Sequence, residues 1–319
     1  MKVLYVNHGH DERCGVHDLG RRHAAAITGP GLEVTYTECN SITEYKTACV
    51  WAQPDVVIIN YMPGIMPWVD VRVEHESHRT VGVVHNYQES TIGKVARDVY
   101  RMFDYVLALD PGLLTSNPKV LLTDRPIPAA STVNPGPPGD GPVRVGSFGF
   151  AFPHKNFPAV AAEIALTVDE GVFDLHMPEA FFNGANGEPL YTADILAAIR
   201  AELRKPGLEL VYTSGHLPEQ AIVDRLAGNH VNCLLYQPGQ HNAGLSSALD
   251  YLVAARRPIL VTDCNMFQHM ARGLSFFPDV RLGDILDDWE RYNQQADDLY
   301  NWASGRIQEQ TLRQLERVR

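Results

Sequence analysis

The sequence predicts an α/β protein made of two doubly wound, parallel-sheet domains. Three observations carry this. Short apolar, β-branched runs alternate with helix-like segments, the order that produces βαβ units. The alternation stops in a stretch dense in proline and glycine, then restarts. Runs such as 55–60, DVVIIN, are apolar without interruption, as strands covered on both faces should be.

In order, residues 3–7 form the first expected strand, ending at His8-Gly9-His10, and 16–27 form a helix entered through Gly15. Strands follow at 32–37, 55–60, 81–85 and 105–109, each with polar residues near its end. Between residues 124 and 142 stand Pro126, Pro128, Pro135, Pro137, Pro138 and Pro142, with Gly136, Gly139 and Gly141 among them. Proline removes a backbone donor and fixes φ, so no regular element is expected there. Strands then resume at 144–148, 208–213, 231–236 and 258–262, with helices at 157–167, 193–204, 218–227 and 246–255. Beyond Gly283 the chain reads as helical, with Leu299, Trp302, Ile307, Leu312 and Leu315 as its apolar positions. The expected domains are 1–130 and 143–300, joined by a linker at 131–142. A closing helix at 301–319 can return to the first domain.

Composition narrows the function classes. At 319 residues the chain is long enough for two domains with their own cores. A formal net charge of −11 argues against gripping nucleic acid through its phosphates, so no nucleic-acid partner is expected. Cys14, Cys39, Cys49, Cys233 and Cys264 are scattered and make no C-x-x-C pair, which supports neither a zinc site nor a disulfide framework. His8, His10 and His17 lie close in sequence, but no carboxylate or cysteine pattern completes a site, so no metal is expected. No apolar run reaches membrane-spanning length, and the opening MKVLYV reads as a strand. A soluble, cytoplasmic protein is the expectation.

Residues 143–156, VRVGSFGFAFPHKN, carry the most chemistry. A β-branched run containing Val143 and Val145 ends in Gly146 and Gly149 and leads through Lys155 to a helix. Strand, glycine turn, cation and helix start together make an anion site, because the helix N-terminus carries partial positive charge and the lysine a full one. A second candidate lies at Gly244-Leu245-Ser246-Ser247. Two such elements in one half point to a ligand with a phosphate or diphosphate. Plainer readings stand beside these: Lys155 as a solvated surface lysine, and Ser246 as a helix N-cap worth roughly 1 kcal/mol. Ligands of doubly wound sheets lie beyond the C-terminal ends of the strands. That places weight on His8, His10 and Gly15, on Asn60, Tyr61, His85 and Asn86, and on Lys155, His216, 237–247 and Asp263. Asp110, beside Pro111, reads as a turn cap.

Taken together these segments resemble GT-B glycosyltransferases, in pattern the retaining enzymes of family four. VRVGSFGFAFPHKN is similar to the first strand and loop of that family's donor domain, where a lysine contacts the donor diphosphate. GLSSALDYLVAARRPILVTD resembles the unit that carries the nucleotide-sugar contacts, and CGVHDLG the glycine loop that faces the donor phosphates. VGVVHN resembles the strand that ends in a histidine near the reacting sugar, and KVLLTDRPIP the crossing between domains. The resemblance implies two Rossmann-like domains facing across a cleft, acceptor side first and donor side second. It implies transfer of a sugar from a nucleoside-diphosphate sugar, with retention, to a small-molecule or glycan acceptor selected by loops around 62–79. The nucleotide-sugar is a co-substrate; no cofactor or metal is implied. The residues it marks are His85 and Lys155 as catalytic, and Gly15, Lys155, Gly244, Leu245, Ser246, Ser247 and Asp250 as donor-binding.

One departure stands out. The family shows two glutamates eight positions apart, whereas QHNAGLSSALDYL contains none. His241 or Asn242 stands near the first position and Asp250 or Tyr251 near the second; a carboxylate at Asp250 can still accept ribose hydroxyls. The missing glutamate motivates an alternative, a catalytically silent nucleotide-sugar-binding partner. A GT-B sugar-nucleotide epimerase would need a carboxylate acid/base pair, and none is clear. A nicotinamide dehydrogenase would need G-x-G-x-x-G after the first strand, which NHGHDERCG does not supply.

Overall fold

The computed structural model describes residues 1–9, 15–62, 65–70, 78–85, 102–178, 191–237 and 245–318. The chain divides into two compact units, one comprising Met1–Pro126, Ala243–Leu245 and Ala303–Arg319, the other Ile127–Asn242 with Ser246–Trp302.

The first unit contains β1 (Lys2–Asn7), α1 (Gly15–Ile27), β2 (Glu33–Glu38), α2 (Ile42–Ala52), β3 (Val56–Asn60), β4 (Arg79–Val83), β5 (Tyr105–Ala108) and β6 (Val120–Leu122). They form one six-stranded sheet in the order β2-β1-β3-β4-β5-β6, with every pairing parallel. Side chains alternate across a strand, so β1 sends Val3 and Tyr5 to one face and Leu4 and Val6 to the other. The first face packs on Leu19, Ala24 and Ile27 of α1, the second on Tyr45 of α2. The last helix of the chain, Ile307–Glu316, belongs to this unit: Ile307, Leu315 and Val318 join the face beneath α1. Thr311 Oγ1 lies 3.0 Å from Thr123 Oγ1, and Gln310 accepts from the N–H of Asp124 at 2.9 Å.

The second unit contains β7 (Val143–Phe148), α3 (Phe157–Thr167), β8 (Gly171–His176), α4 (Thr192–Glu202), β9 (Leu208–Thr213), α5 (Glu219–Ala227) and β10 (Val231–Leu234). It continues through α6 (Ser247–Ala255), β11 (Ile259–Thr262), β12 (Ser275–Phe277), α7 (Leu282–Asp287) and α8 (Trp289–Ser304), which makes Ile307–Glu316 α9. Its sheet is also six-stranded and parallel, in the order β12-β11-β10-β7-β8-β9. The strand order reverses between β7 and β10, where Val145 pairs with Val231 and Gly146 with Asn232.

Four elements go beyond the sequence expectation. β6 and β12 are edge strands of only 3 residues, too short to show a period. β8 hides because Asp174 interrupts its apolar run; the carboxylate is buried and paired with Arg144 and Arg225. α2 buries little beyond Tyr45, yet its start is signalled by Ser41 and Glu44: Ser41 Oγ accepts from the Glu44 N–H at 3.2 Å, and the Glu44 carboxylate accepts from the Asn40 N–H at 2.7 Å. The proline-rich stretch forms no helix or strand from 123 to 142.

Candidate functional site

In a doubly wound sheet, the crevice beyond the strand ends where the order reverses is the natural ligand site. In the second unit this is the space after β7 and β10. The β7 loop descends through a 3-10 turn, Pro153–Lys155, and is tied to the segment after β10 by the Gln237 N–H donating to the His154 carbonyl at 2.9 Å. Gly149 holds the loop open with φ of 142°, a conformation L side chains rarely adopt. Asn156 then turns the chain into α3 with φ of 52°.

Lys155 is not a solvated lysine: only 9% of it is exposed. Its Nζ donates to Tyr236 Oη and stands 3.4 Å from Ser246 Oγ, while the Tyr236 and Ser246 oxygens are 2.9 Å apart. The ammonium also lies 4.2 Å from the centroid of the Tyr236 ring. Among the described residues no carboxylate forms an ion pair with it. Burial pulls the Lys155 amine down to about 7 and pushes the Tyr236 phenol up. An ammonium only donates, so the Tyr236 and Ser246 oxygens both act as acceptors toward Lys155, and either hydroxyl can donate to the other. A buried amine with no carboxylate partner among the described residues, beside a serine hydroxyl at a helix start, forms half of an anion site.

The expected residues fall out as follows. Ser246 occupies the N-cap of α6, but its side chain makes no capping bond, so the plain N-cap reading fails. Ser247 opens α6, and half-buried Leu245 precedes the cap. Asp250 is completely buried, with its Oδ1 3.3 Å from Nε2 of His269, a partner the sequence did not signal. The start of α3 is a poorer donor than expected, because Pro158 in its first turn has no N–H. Gly244, His241 and Asn242 lie outside the described residues. The sequence does not single out Tyr236, which reads as the last residue of an apolar run, VNCLLY; its hydroxyl is the one local clue.

In the first unit, the ends of β1, β3 and β4 gather Asn7, Asn60 and His85. His85 stands two residues past β4, half-buried, with Nε2 2.8 Å from Asn60 Oδ1. Burial first, then the charge of Arg125, lowers His85 to about 3, so the imidazole is neutral near pH 7. Gly15 is the exposed first residue of α1, and an added Cβ there would meet nothing within 4 Å. Asp110 Oδ1 accepts from the Gly112 N–H at 3.0 Å, a turn cap. His10, Cys14, Asn86 and much of 62–79 lie outside the described residues. Among the described residues no cluster of three or more His, Cys, Asp or Glu side chains could hold a metal ion, and no helix is long and apolar enough to cross a membrane.

This architecture is that of known structures. Anabaena Alr3699/HepE in complex with UDP and glucose matches with a TM-score of 0.63 at 11% identity, covering 99% of this chain and 98% of that one. A glycosyltransferase from Rickettsia africae ESF-5 matches at 0.60 and 9% identity, covering 99% and 97%. AviGT4, a glycosyltransferase involved in avilamycin A biosynthesis, matches at 0.59 and 14% identity, with 99% and 97% covered. No protein-family model and no curated protein matches the chain. Two parallel six-stranded sheets with flanking helices, alike over the full length to these structures, define a GT-B fold.

Proposed function

We propose that this chain is a glycosyltransferase that moves a sugar from a nucleoside-diphosphate sugar to a small-molecule or glycan acceptor, with retention and without a metal. The observation that carries the reading is Lys155, a buried amine without a carboxylate partner among the described residues, set beside Ser246 at the N-terminus of α6 where the sheet order reverses. That arrangement suits a diphosphate. The Lys155 charge, the Ser246 hydroxyl and the partial positive charge at the start of α6 would neutralise the negative charge that develops as the nucleotide leaves. Lysine and helix dipole would thus do what a divalent cation does elsewhere. The likeness to Alr3699/HepE, a structure in complex with UDP and glucose, supports a nucleotide-sugar as the donor.

Asp250 would bind ribose hydroxyls through a carboxylate that is completely buried and has Oδ1 beside His269. The segment 244–247 completes the donor contacts proposed for the second unit; for the first unit we propose, by itself, a donor-binding role for Gly15 and a catalytic role for neutral His85. The test is nucleoside diphosphate release from a panel of nucleotide-sugars with glycan and small-molecule acceptors, in excess chelator, with the product anomer read by NMR. Turnover with retained configuration supports the reading. Turnover only with added metal would remove its metal-independent part.

A second reading, a catalytically silent nucleotide-sugar-binding partner, is favoured by one observation: the segment QHNAGLSSALDYL carries no glutamate. Donor binding with no transfer to any acceptor would select it.

A further inference from the structure

Asn7 and Asn60 are completely buried at the ends of β1 and β3, and groups of fixed hydrogen-bonding sense orient both carboxamides. Asn60 Nδ2 donates to the Val16 carbonyl at 2.8 Å, which makes its Oδ1 the acceptor end. Asn7 Oδ1 accepts from the His8 backbone N–H at 3.0 Å and from Asn60 Nδ2 at 2.9 Å. Asn7 Nδ2 therefore donates, to the His17 carbonyl at 2.9 Å and to Tyr36 Oη at 3.0 Å. Tyr36 passes its own hydrogen to Glu38 Oε1 at 2.9 Å, and His17 Nε2 lies 2.7 Å from the same oxygen. Every link runs in one direction, from His85 toward the Glu38 carboxylate. The Asn60 Oδ1 that faces His85 Nε2 has no hydrogen to offer, so Nε2 must carry it.

We propose that Asn60 and Asn7 are positioning residues: they hold His85 as its Nε2–H tautomer and so present the Nδ1 lone pair to a hydroxyl of the bound substrate. Among the described residues Nδ1 has no hydrogen-bond partner, and the lowered proton affinity of His85 keeps that lone pair unprotonated. An imidazole free to choose between tautomers would offer the acceptor only part of the time.

A second feature is built around the same contact. A Cβ at Gly20 would stand 2.3 Å from Asn60 Nδ2 and 2.8 Å from Asn7 Nδ2. The missing side chain is what lets the first turn of α1 bring the carbonyls of Val16 and His17 onto the two carboxamides. Helix, strands and imidazole are thus locked by one set of bonds. That the hydroxyl belongs to a sugar or its acceptor rests on the glycosyl-transfer reading; the tautomer does not.

The experiment is long-range proton–nitrogen NMR of imidazole-labelled protein, with His85 assigned by His85→Gln. The expected spectrum shows a protonated Nε2 and a bare Nδ1 for His85, unchanged from about pH 5.5 to 8. A protonated Nδ1, or a tautomer mixture, for His85 in the wild-type protein overturns the proposal whatever the Asn60 and Gly20 variants do. In Asn60→Ala the expected outcome is a tautomer mixture. The accompanying fall in kcat is on the order of 10- to 100-fold, with KM for the nucleotide-sugar within about twofold. Gly20→Ala should move the spectrum the same way. An unchanged tautomer in a folded Asn60→Ala also overturns it. Nucleotide titrations report on Lys155 separately, so failure of the transferase reading and failure of this one appear in different measurements.

Discussion

Lys155 Nζ and Ser246 Oγ stand 3.4 Å apart although 91 residues separate them in the chain. They meet because β7 and β10 are neighbours exactly once in the sheet, at the point where its order reverses, so the loop after β7 and the start of α6 open on one crevice. Tyr236, just past β10, bridges the two and has its ring packed 4.8 Å from that of Phe267. The amine is therefore placed before any ligand arrives, which reduces the ordering cost of binding.

Lys155→Met should leave the fold intact, since methionine fills similar space without a buried charge. Nucleoside diphosphate affinity should fall roughly 10- to 100-fold, the range for losing a charge-assisted hydrogen bond. Calorimetry on the variant and a melting curve check both halves of the statement. A large loss of stability with unchanged affinity would make Lys155 a structural residue.

The amine also sets a pH dependence. Its ordinary value of 10.5 is pulled to about 7 in the folded protein. Between those values the unfolded chain binds a proton that the unliganded native state does not, so stability should rise with pH across that window and the penalty should be fullest below it. Nucleotide-sugar affinity should move the other way, weakening as pH climbs above about 7, with proton uptake on binding. Melting curves and titrations in buffers of different ionisation enthalpy test both slopes, and Lys155→Met should flatten them.

Ser246→Ala separates two roles that sequence alone leaves equivalent. Loss of an N-cap bond costs about 1 kcal/mol of stability. Since Ser246 Oγ caps nothing here, the melting temperature should barely change, while nucleotide affinity drops severalfold through loss of one neutral donor. The opposite pattern would restore the capping reading.

The helix α9 carries a stability prediction for the first unit. Leu315 is completely buried in the cluster that contains Val3, Tyr5 and Leu19. Leu315→Ala should cost about 2–5 kcal/mol, seen as a lower denaturant midpoint. Nucleotide binding by protein that remains folded should be unaffected.

Much of this was legible beforehand, and the gaps have physical causes. Parallel strands buried on both faces advertise themselves as apolar runs, so β1, β3 and β10 could be read directly. The alternation around β7 marked Lys155 and the start of α6. Contacts between distant strand ends leave no local period. Tyr236 between Lys155 and Ser246, Asn60 between Asn7 and His85, and His269 beside Asp250 could only be seen once the sheets were assembled. Asp174 shows the converse: a charge inside a strand hid β8, because its arginine partners lie 30 and 51 residues away.

On the proposed function, the buried Lys155 amine is the group that meets the donor phosphates. The most direct test is a calorimetric titration of wild type and Lys155→Met with a panel of nucleoside diphosphates in the presence of chelator. One nucleotide should bind the wild-type protein without metal, and this binding should be lost or weakened at least tenfold in a folded Lys155→Met. Equal affinity in both proteins, or no binding of any nucleotide to the wild type, would contradict it.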